Sequence, residues 1–98
     1  MKENKFQSGL IKRLREEFEG CIIMKNDPNY IQGIPDLAIF HGDKWACLEV
    51  KKDKHAKHRP NQDWYIERMN NMSFARFIFP ENSEEVINGL REFFNSKT

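Results

Sequence analysis

Cysteine is scarce in this chain of 98 residues: there are two, Cys21 and Cys47, and no Cys-x-x-Cys pair. Two thiols make no disulfide framework. His41, His55 and His58 share no helix face with either cysteine, which argues against zinc. Both cysteines lie in apolar, strand-like runs and read as buried free thiols of an intracellular protein. Long apolar runs are also missing. None approaches the length of a membrane span, and the polar N-terminus has no apolar core of a signal peptide. Neither sign of charge is in excess, with 16 Lys and Arg against 15 Asp and Glu. The net balance therefore says little about partners. Repeats, linkers and low-complexity tracts are absent, so residues 1–98 read as a single domain.

What is present is a generous set of aromatics, eight of them Phe, which argues against disorder. Phe6, Leu10, Ile11, Leu14 and Phe18 recur at helical spacing, predicting a helix from about 4 to 19 that ends at Gly20. Cys21 to Met24 is a short apolar run before a turn at Asn26-Asp27-Pro28-Asn29, and predicts a first strand. Pro35 cannot donate to a ladder, so the next strand pairs from Asp36 to Phe40. His41-Gly42-Asp43-Lys44 reads as a hairpin loop. Trp45 to Val50 is a third strand whose apolar density suggests a central position. After a polar loop, Pro60 begins a second helix with Trp64, Tyr65, Met69 and Met72 inward. Phe74 to Phe79 is a fourth strand stopped by Pro80. Asn82 or Ser83 caps a third helix, with Val86, Ile87, Leu90, Phe93 and Phe94 facing the core. The strand–helix–strand step from the third to the fourth strand predicts a parallel pair.

Chemistry gathers around two strand ends. Asp36 opens the second strand, and Glu49 and Lys51 close the third. Two carboxylates and an amine thereby meet at one end of a small sheet. Carboxylates so placed commonly hold a hard cation such as Mg²⁺, which takes oxygen ligands and keeps several waters. Lys51 shares a strand face with Glu49 by the two-residue alternation. Taken singly, an Asp and a Glu-x-Lys are ordinary surface features. Glu49 differs, because it follows Trp45-Ala46-Cys47-Leu48, a run that should be buried, where an unpaired charge is costly. From Lys51 to Arg59 five basic residues face one acid, Asp53, with His55 and His58 among them. A charge run is usually a solvated loop. Directly after the carboxylates, this one suits a polyanionic substrate. Tyr30, Trp64 and Tyr65 have rings that can stack on splayed bases. Core packing is the expectation for Trp64, while Tyr30 lies in the loop before the site.

The strings Gly33-Ile34-Pro35-Asp36-Leu37, Glu49-Val50-Lys51 and Pro60-Asn61-Gln62, in this order of elements, resemble the PD-(D/E)xK nuclease superfamily. Within it they resemble the VRR-NUC and Holliday-junction-resolvase branch, which includes small stand-alone phage nucleases. The likeness runs from Glu3 to about Phe79. It implies an α/β fold with a restriction-endonuclease-like core, α-β-β-β-α-β with a C-terminal helix, the mixed sheet flanked by helices. It implies Mg²⁺ or Mn²⁺ held by Asp36, Glu49 and the Val50 carbonyl. Lys51 would position or deprotonate the attacking water, or stabilise the charged phosphorane. Gln62 would support the metal site or the phosphate. For the further acid on the first helix Glu3 is the first candidate and Glu17 the reserve. Lys52, Lys54, Lys57, His58 and Arg59 would contact nucleic acid. The implied protein is a homodimeric DNA endonuclease selective for branched DNA, working in the cytoplasm of a bacterial or phage-infected cell, with no membrane partner. The rivals are a non-catalytic nucleic-acid-binding module on the same fold and a restriction-type nuclease.

Overall fold

A computed structural model describes residues 2–97 as an α/β fold. One four-stranded mixed sheet has helices on both sides. The elements are α1 (Glu3–Glu17), β1 (Ile22–Lys25), β2 (Leu37–His41), β3 (Lys44–Val50), α2 (Gln62–Met72), β4 (Phe74–Ile78) and α3 (Ser83–Asn95), with a short 3₁₀ turn at Pro80–Asn82 before α3. The sheet order is β1-β2-β3-β4. β1–β2 and β2–β3 are antiparallel, and β3–β4 is parallel. β3 is therefore central, as its apolar density suggests. No helix among the described residues is long and apolar enough to cross a membrane.

The alternation of β3 divides the core. Ala46, Leu48 and Val50 point to one face and meet Leu10, Leu14 and Phe18 of the α1 segment and Val86, Ile87 and Leu90 of α3. Cys47 points to the other face with Ala38 and Ala75, where Ile66 and Met69 of α2 and the half-buried Trp45 cover it. Burying one Leu or Ile side chain stabilises a fold by about 1.5–3 kcal/mol, so the first face carries most of the cohesion.

Several boundaries differ from the sequence expectation, each for a local reason. α1 ends at Glu17 with Phe18 as its C-cap, and the following turn has Cys21 N–H donating to the Phe18 carbonyl at 3.0 Å. That bond keeps Cys21 out of the ladder, so β1 starts at Ile22 and Cys21 is half-buried rather than buried. His41 and Lys44 pair with each other, which shortens the hairpin loop to Gly42-Asp43. Gly42 has φ +64°, as the first position of such a tight turn requires. α2 begins at Gln62 and not at Pro60, because Asn61 sits at φ 72°, outside the helical region. β4 stops at Ile78, and the Phe79 N–H bonds to Asn82 Oδ1 at 2.8 Å, so the Asn82 side chain serves the 3₁₀ turn and makes no cap bond to α3.

The inward face assigned to α2 needs the largest correction. Trp64 is 56% exposed and Met72 65% exposed. The inner side chains are Gln62, Ile66 and Met69. α2 packs chiefly on β3 and β4. Beyond Ala38 towards the sheet edge, Ile22, Met24 and Phe40 of β1 and β2 remain exposed on that face.

Candidate active site

The β2–β3 register builds the site. Leu37 pairs with Leu48, so one step further Asp36 stands opposite Glu49 at the sheet's end. Two backbone amides lock the pair. The Asp36 N–H donates to Glu49 Oε1 at 3.1 Å, and the Val50 N–H donates to Asp36 Oδ2 at 2.9 Å. Asp36 Oδ1 accepts no hydrogen bond among the described residues. The Val50 side chain turns into the core, while its backbone ends β3 between Glu49 and Lys51.

Three polar side chains are buried in the described chain: Glu49 (4% exposed), Lys51 (6%) and Gln62 (7%). Their hydrogen bonds explain how they tolerate burial. The Gln62 amide nitrogen donates to Glu49 Oε2 at 2.7 Å, and its Oε1 accepts from Lys51 Nζ at 2.7 Å and from the Arg59 N–H at 2.8 Å. Lys51 Nζ also donates to the Lys57 carbonyl at 3.1 Å and stands 3.8 Å from Glu49 Oε2. One glutamine therefore aligns the acid and the amine, and a basic-loop carbonyl completes the set.

Electrostatics inside this network are uneven. Burial pushes the Glu49 carboxyl up, to about 8, and the neighbouring Asp36 charge pushes the same way, against a smaller downward pull from Lys51. The buried Glu49 carboxyl, facing the Asp36 charge, is short of positive charge. That is the condition a divalent cation relieves. Among the described residues no group of three or more His, Cys, Asp and Glu side chains comes together to hold an ion. The side-chain donors on hand are the two carboxylates of Asp36 and Glu49. Such an all-oxygen, incomplete set fits Mg²⁺ or Mn²⁺, which retain waters, better than a closed cage would.

The network floors a cleft of about 570 Å³, whose far wall comes from Pro28, Asn29, Gln32, Gly33 and Ile34. A second cleft, of about 600 Å³, adjoins it. The two share Glu3, Lys51 and Arg59, and Lys52, His55 and Lys57 line the second. Gly33 explains how the far wall reaches the site. Its φ is +90°, and a Cβ there would lie 2.6 Å from Asn61 Cβ and 2.9 Å from the Pro60 carbonyl oxygen. Only glycine lets this loop rest on the start of α2, next to Gln62.

Most of the expected site residues thus converge. Asp36, Glu49, Lys51 and Gln62 form one cluster, and Glu3 borders both clefts from the first turn of α1. Glu17 sits at the other end of α1, where Arg91 Nη2 holds it at 2.6 Å and keeps its carboxyl below the ordinary range. Lys52, Lys57 and Arg59 line the clefts; Lys54 and His58 line neither. The His58 ring stacks on Phe77, with centroids 4.0 Å apart and planes 13° apart, and its Nδ1 is 2.7 Å from Asp63 Oδ1. That ring anchors the basic loop to β4. Asn26 carried no sequence signal beyond a turn. Its side chain donates to the Pro35 carbonyl at 2.8 Å and its N–H to the Asp36 carbonyl at 2.8 Å, so it helps hold Asp36 in place. Comparison with protein-family models, curated proteins and solved structures found no match.

Proposed function

We propose that this chain is a metal-dependent DNA endonuclease with a restriction-endonuclease-like core, hydrolysing a phosphodiester. The observation that carries the reading is the buried set of Glu49, Gln62 and Lys51, joined by hydrogen bonds to one another and to half-buried Asp36 beside a basic loop. A buried carboxyl beside a second acid is costly, and Glu49 has no structural use evident in the packing, which supports a catalytic use.

Asp36, Glu49 and the Val50 carbonyl would hold Mg²⁺ or Mn²⁺. When bound, such an ion supplies Lewis-acid polarisation of the phosphate and lowers the pKa of the attacking water. The chain's own groups do the rest. Gln62 keeps the Glu49 carboxylate facing Asp36 and keeps the Lys51 ammonium within the cleft. Lys51 presents fixed positive charge to the phosphate oxygens, where charge grows as the nucleophile adds. Arg59, Lys52 and Lys57 attract neighbouring phosphates. Glu3, at the cleft edge, is placed to orient water.

Branched DNA as substrate and a homodimer as the working form belong to the same proposal. The exposed strip of Ile22, Met24 and Phe40 supports a second copy, and sedimentation tests it: a fully active monomer removes that part. The central test is cleavage of linear, single-stranded, flapped and four-way DNA with Mg²⁺, Mn²⁺ or chelator. Cutting should need the ion and disappear in Glu49→Gln and Lys51→Ala while DNA binding persists. Wild-type protein that binds DNA and never cuts with either ion points instead to a binding module.

A further inference from the structure

His58 lines neither cleft, although it belongs to the basic loop that borders both. Its two chain neighbours reach the buried trio. The Lys57 carbonyl accepts from Lys51 Nζ at 3.1 Å, and the Arg59 N–H donates to Gln62 Oε1 at 2.8 Å. The His58 ring is held from two further sides. It stacks on Phe77 with centroids 4.0 Å apart, and its Nδ1 lies 2.7 Å from Asp63 Oδ1. Both partners are themselves joined to the site. Phe77 pairs with Glu49 across β3 and β4, and Asp63 follows Gln62 in α2.

We infer that His58 is a positioning residue: its ring latches the basic loop so that the Lys57 carbonyl and the Arg59 N–H align Lys51 and Gln62 with Glu49. The inference rests on the reading of that trio as catalytic, and it gives His58 a role other than contact with nucleic acid. The chemistry of the two loop groups is what aligns the trio. A backbone N–H can only donate and a backbone carbonyl can only accept. The Arg59 N–H therefore selects the oxygen of the Gln62 amide and turns the amide nitrogen to Glu49 Oε2, 2.7 Å away. The Lys57 carbonyl takes one ammonium proton of Lys51, and Gln62 Oε1 takes a second. If the loop drifted, Lys51, which is 6% exposed, would lose an acceptor where an unsatisfied donor is costly.

Of the two contacts that hold the ring, the stack outweighs the other. The Asp63 side chain is 73% exposed, so water screens its contact with Nδ1. Phe77 is half-buried and lies on the Cys47–Ala75 face of the sheet, where stacked rings exclude water. The rest of the loop is tied mainly to itself. The Ala56 N–H donates to the Asp53 carbonyl at 3.3 Å and the His55 N–H to Asp53 Oδ1 at 2.8 Å, while the Lys54 N–H reaches Glu81 Oε2 at 3.4 Å. Without the ring, little else would keep the Lys57 carbonyl and the Arg59 N–H against the site.

The first test acetylates amines in chelator and reads each lysine by mass spectrometry, so it does not depend on turnover. In wild type, buried Lys51 should react far more slowly than exposed Lys52. An aromatic stack shifts an equilibrium by about 2- to 12-fold, so His58→Ala should speed Lys51 labelling by about that factor while buried Cys47 stays protected from a thiol reagent. His58→Phe keeps the stack and should restore the protection of Lys51. With DNA and Mg²⁺ or Mn²⁺, His58→Ala should cut about 10- to 100-fold more slowly at saturating DNA, with its affinity in chelator within about 2-fold of wild type. A loss of affinity as large as the loss of cutting would make His58 a DNA contact and overturn the inference. Unchanged Lys51 labelling in His58→Ala would overturn it too. So would free hydrogen exchange at the Arg59 amide of wild type, a measurement that needs no variant. Each of these leaves the nuclease reading standing. The expected labelling in a protein that cuts no DNA with either ion overturns only the nuclease reading.

Discussion

Replacing Gly33 with alanine is the sharpest test of how the cleft is assembled. Two costs add. At φ +90° an L-residue loses roughly 1–2 kcal/mol relative to glycine. The new Cβ would also meet Asn61 Cβ at 2.6 Å, the Asn61 carbonyl carbon at 2.9 Å and the Pro60 oxygen at 2.9 Å. Two of these three atoms are backbone, and none can swing aside as the end of a long side chain can. Asn61 already occupies the left-handed region, so it has no cheap way to retreat. Overpacking of this kind costs about 1–3 kcal/mol. The total is about 2–5 kcal/mol, or roughly 10–30 °C in Tm for a domain this size. Gly42→Ala is the control. Its φ is +64°, but no atom lies within 4 Å of the added carbon, so only the backbone cost applies. Urea and thermal melts of both variants read the difference. Because Gln62 follows Asn61, any retreat of α2 also moves the amide that aligns Glu49 with Lys51. Gly33→Ala should therefore cut more slowly even where it is still folded. A Gly33→Ala protein no less stable than Gly42→Ala would refute the close approach.

Burial and Asp36 hold the Glu49 carboxyl at about 8, above its unfolded value of 4.5. The folded state then binds the extra proton, so metal-free stability should fall as pH rises from about 4.5 to 8 and level off above that. Urea melts across this range should show the slope, and Glu49→Gln should flatten it; equal slopes in both proteins count against the buried carboxylate. Cys47, pushed up to about 11 by burial, should resist a thiol reagent in the native state and react once urea unfolds the chain. Fast native labelling at that position would mean β3 is not where it is described. Leu48→Ala, at a fully buried position in the central strand, should cost about 2–5 kcal/mol in a denaturant titration; a loss below 1 kcal/mol would show a core that collapses around the gap. Neutralising Lys52, Lys54, Lys57 and Arg59 together should weaken DNA binding and flatten its salt dependence. From the geometry, Lys54 contributes least of the four, and an unchanged slope would place the whole loop away from the substrate.

Local pattern was enough for the order of the elements. Helical periodicity marked α1 and α3, glycine and proline marked the turns, and the apolar run from Trp45 placed β3 at the centre. These signals act over a few residues and survive in any fold. That Asp36 and Glu49 meet at one end of the sheet was legible too, from the strands they open and close; the register that sets them opposite came with the Gly42-Asp43 turn of the structure. What failed was the α2 face. Trp64 and Met72 have helical spacing, yet α2 starts two residues later than expected, packs chiefly on β3 and β4, and leaves both side chains exposed. Periodicity shows that a helix has an apolar side but not how much sheet lies beneath it.

By itself, then, the sequence determined which side chains the strand ends carry and that Glu49 and Lys51 share a face. Tertiary structure alone decided that Gln62 would hydrogen-bond both of them, eleven positions from Lys51 and thirteen from Glu49, that Glu17 would be claimed by Arg91, and that His58 would be spent on Phe77. The physical reason is range. Alternation and turn chemistry act between neighbours, whereas burial of a charge is settled by whichever partner the packing brings within hydrogen-bond distance.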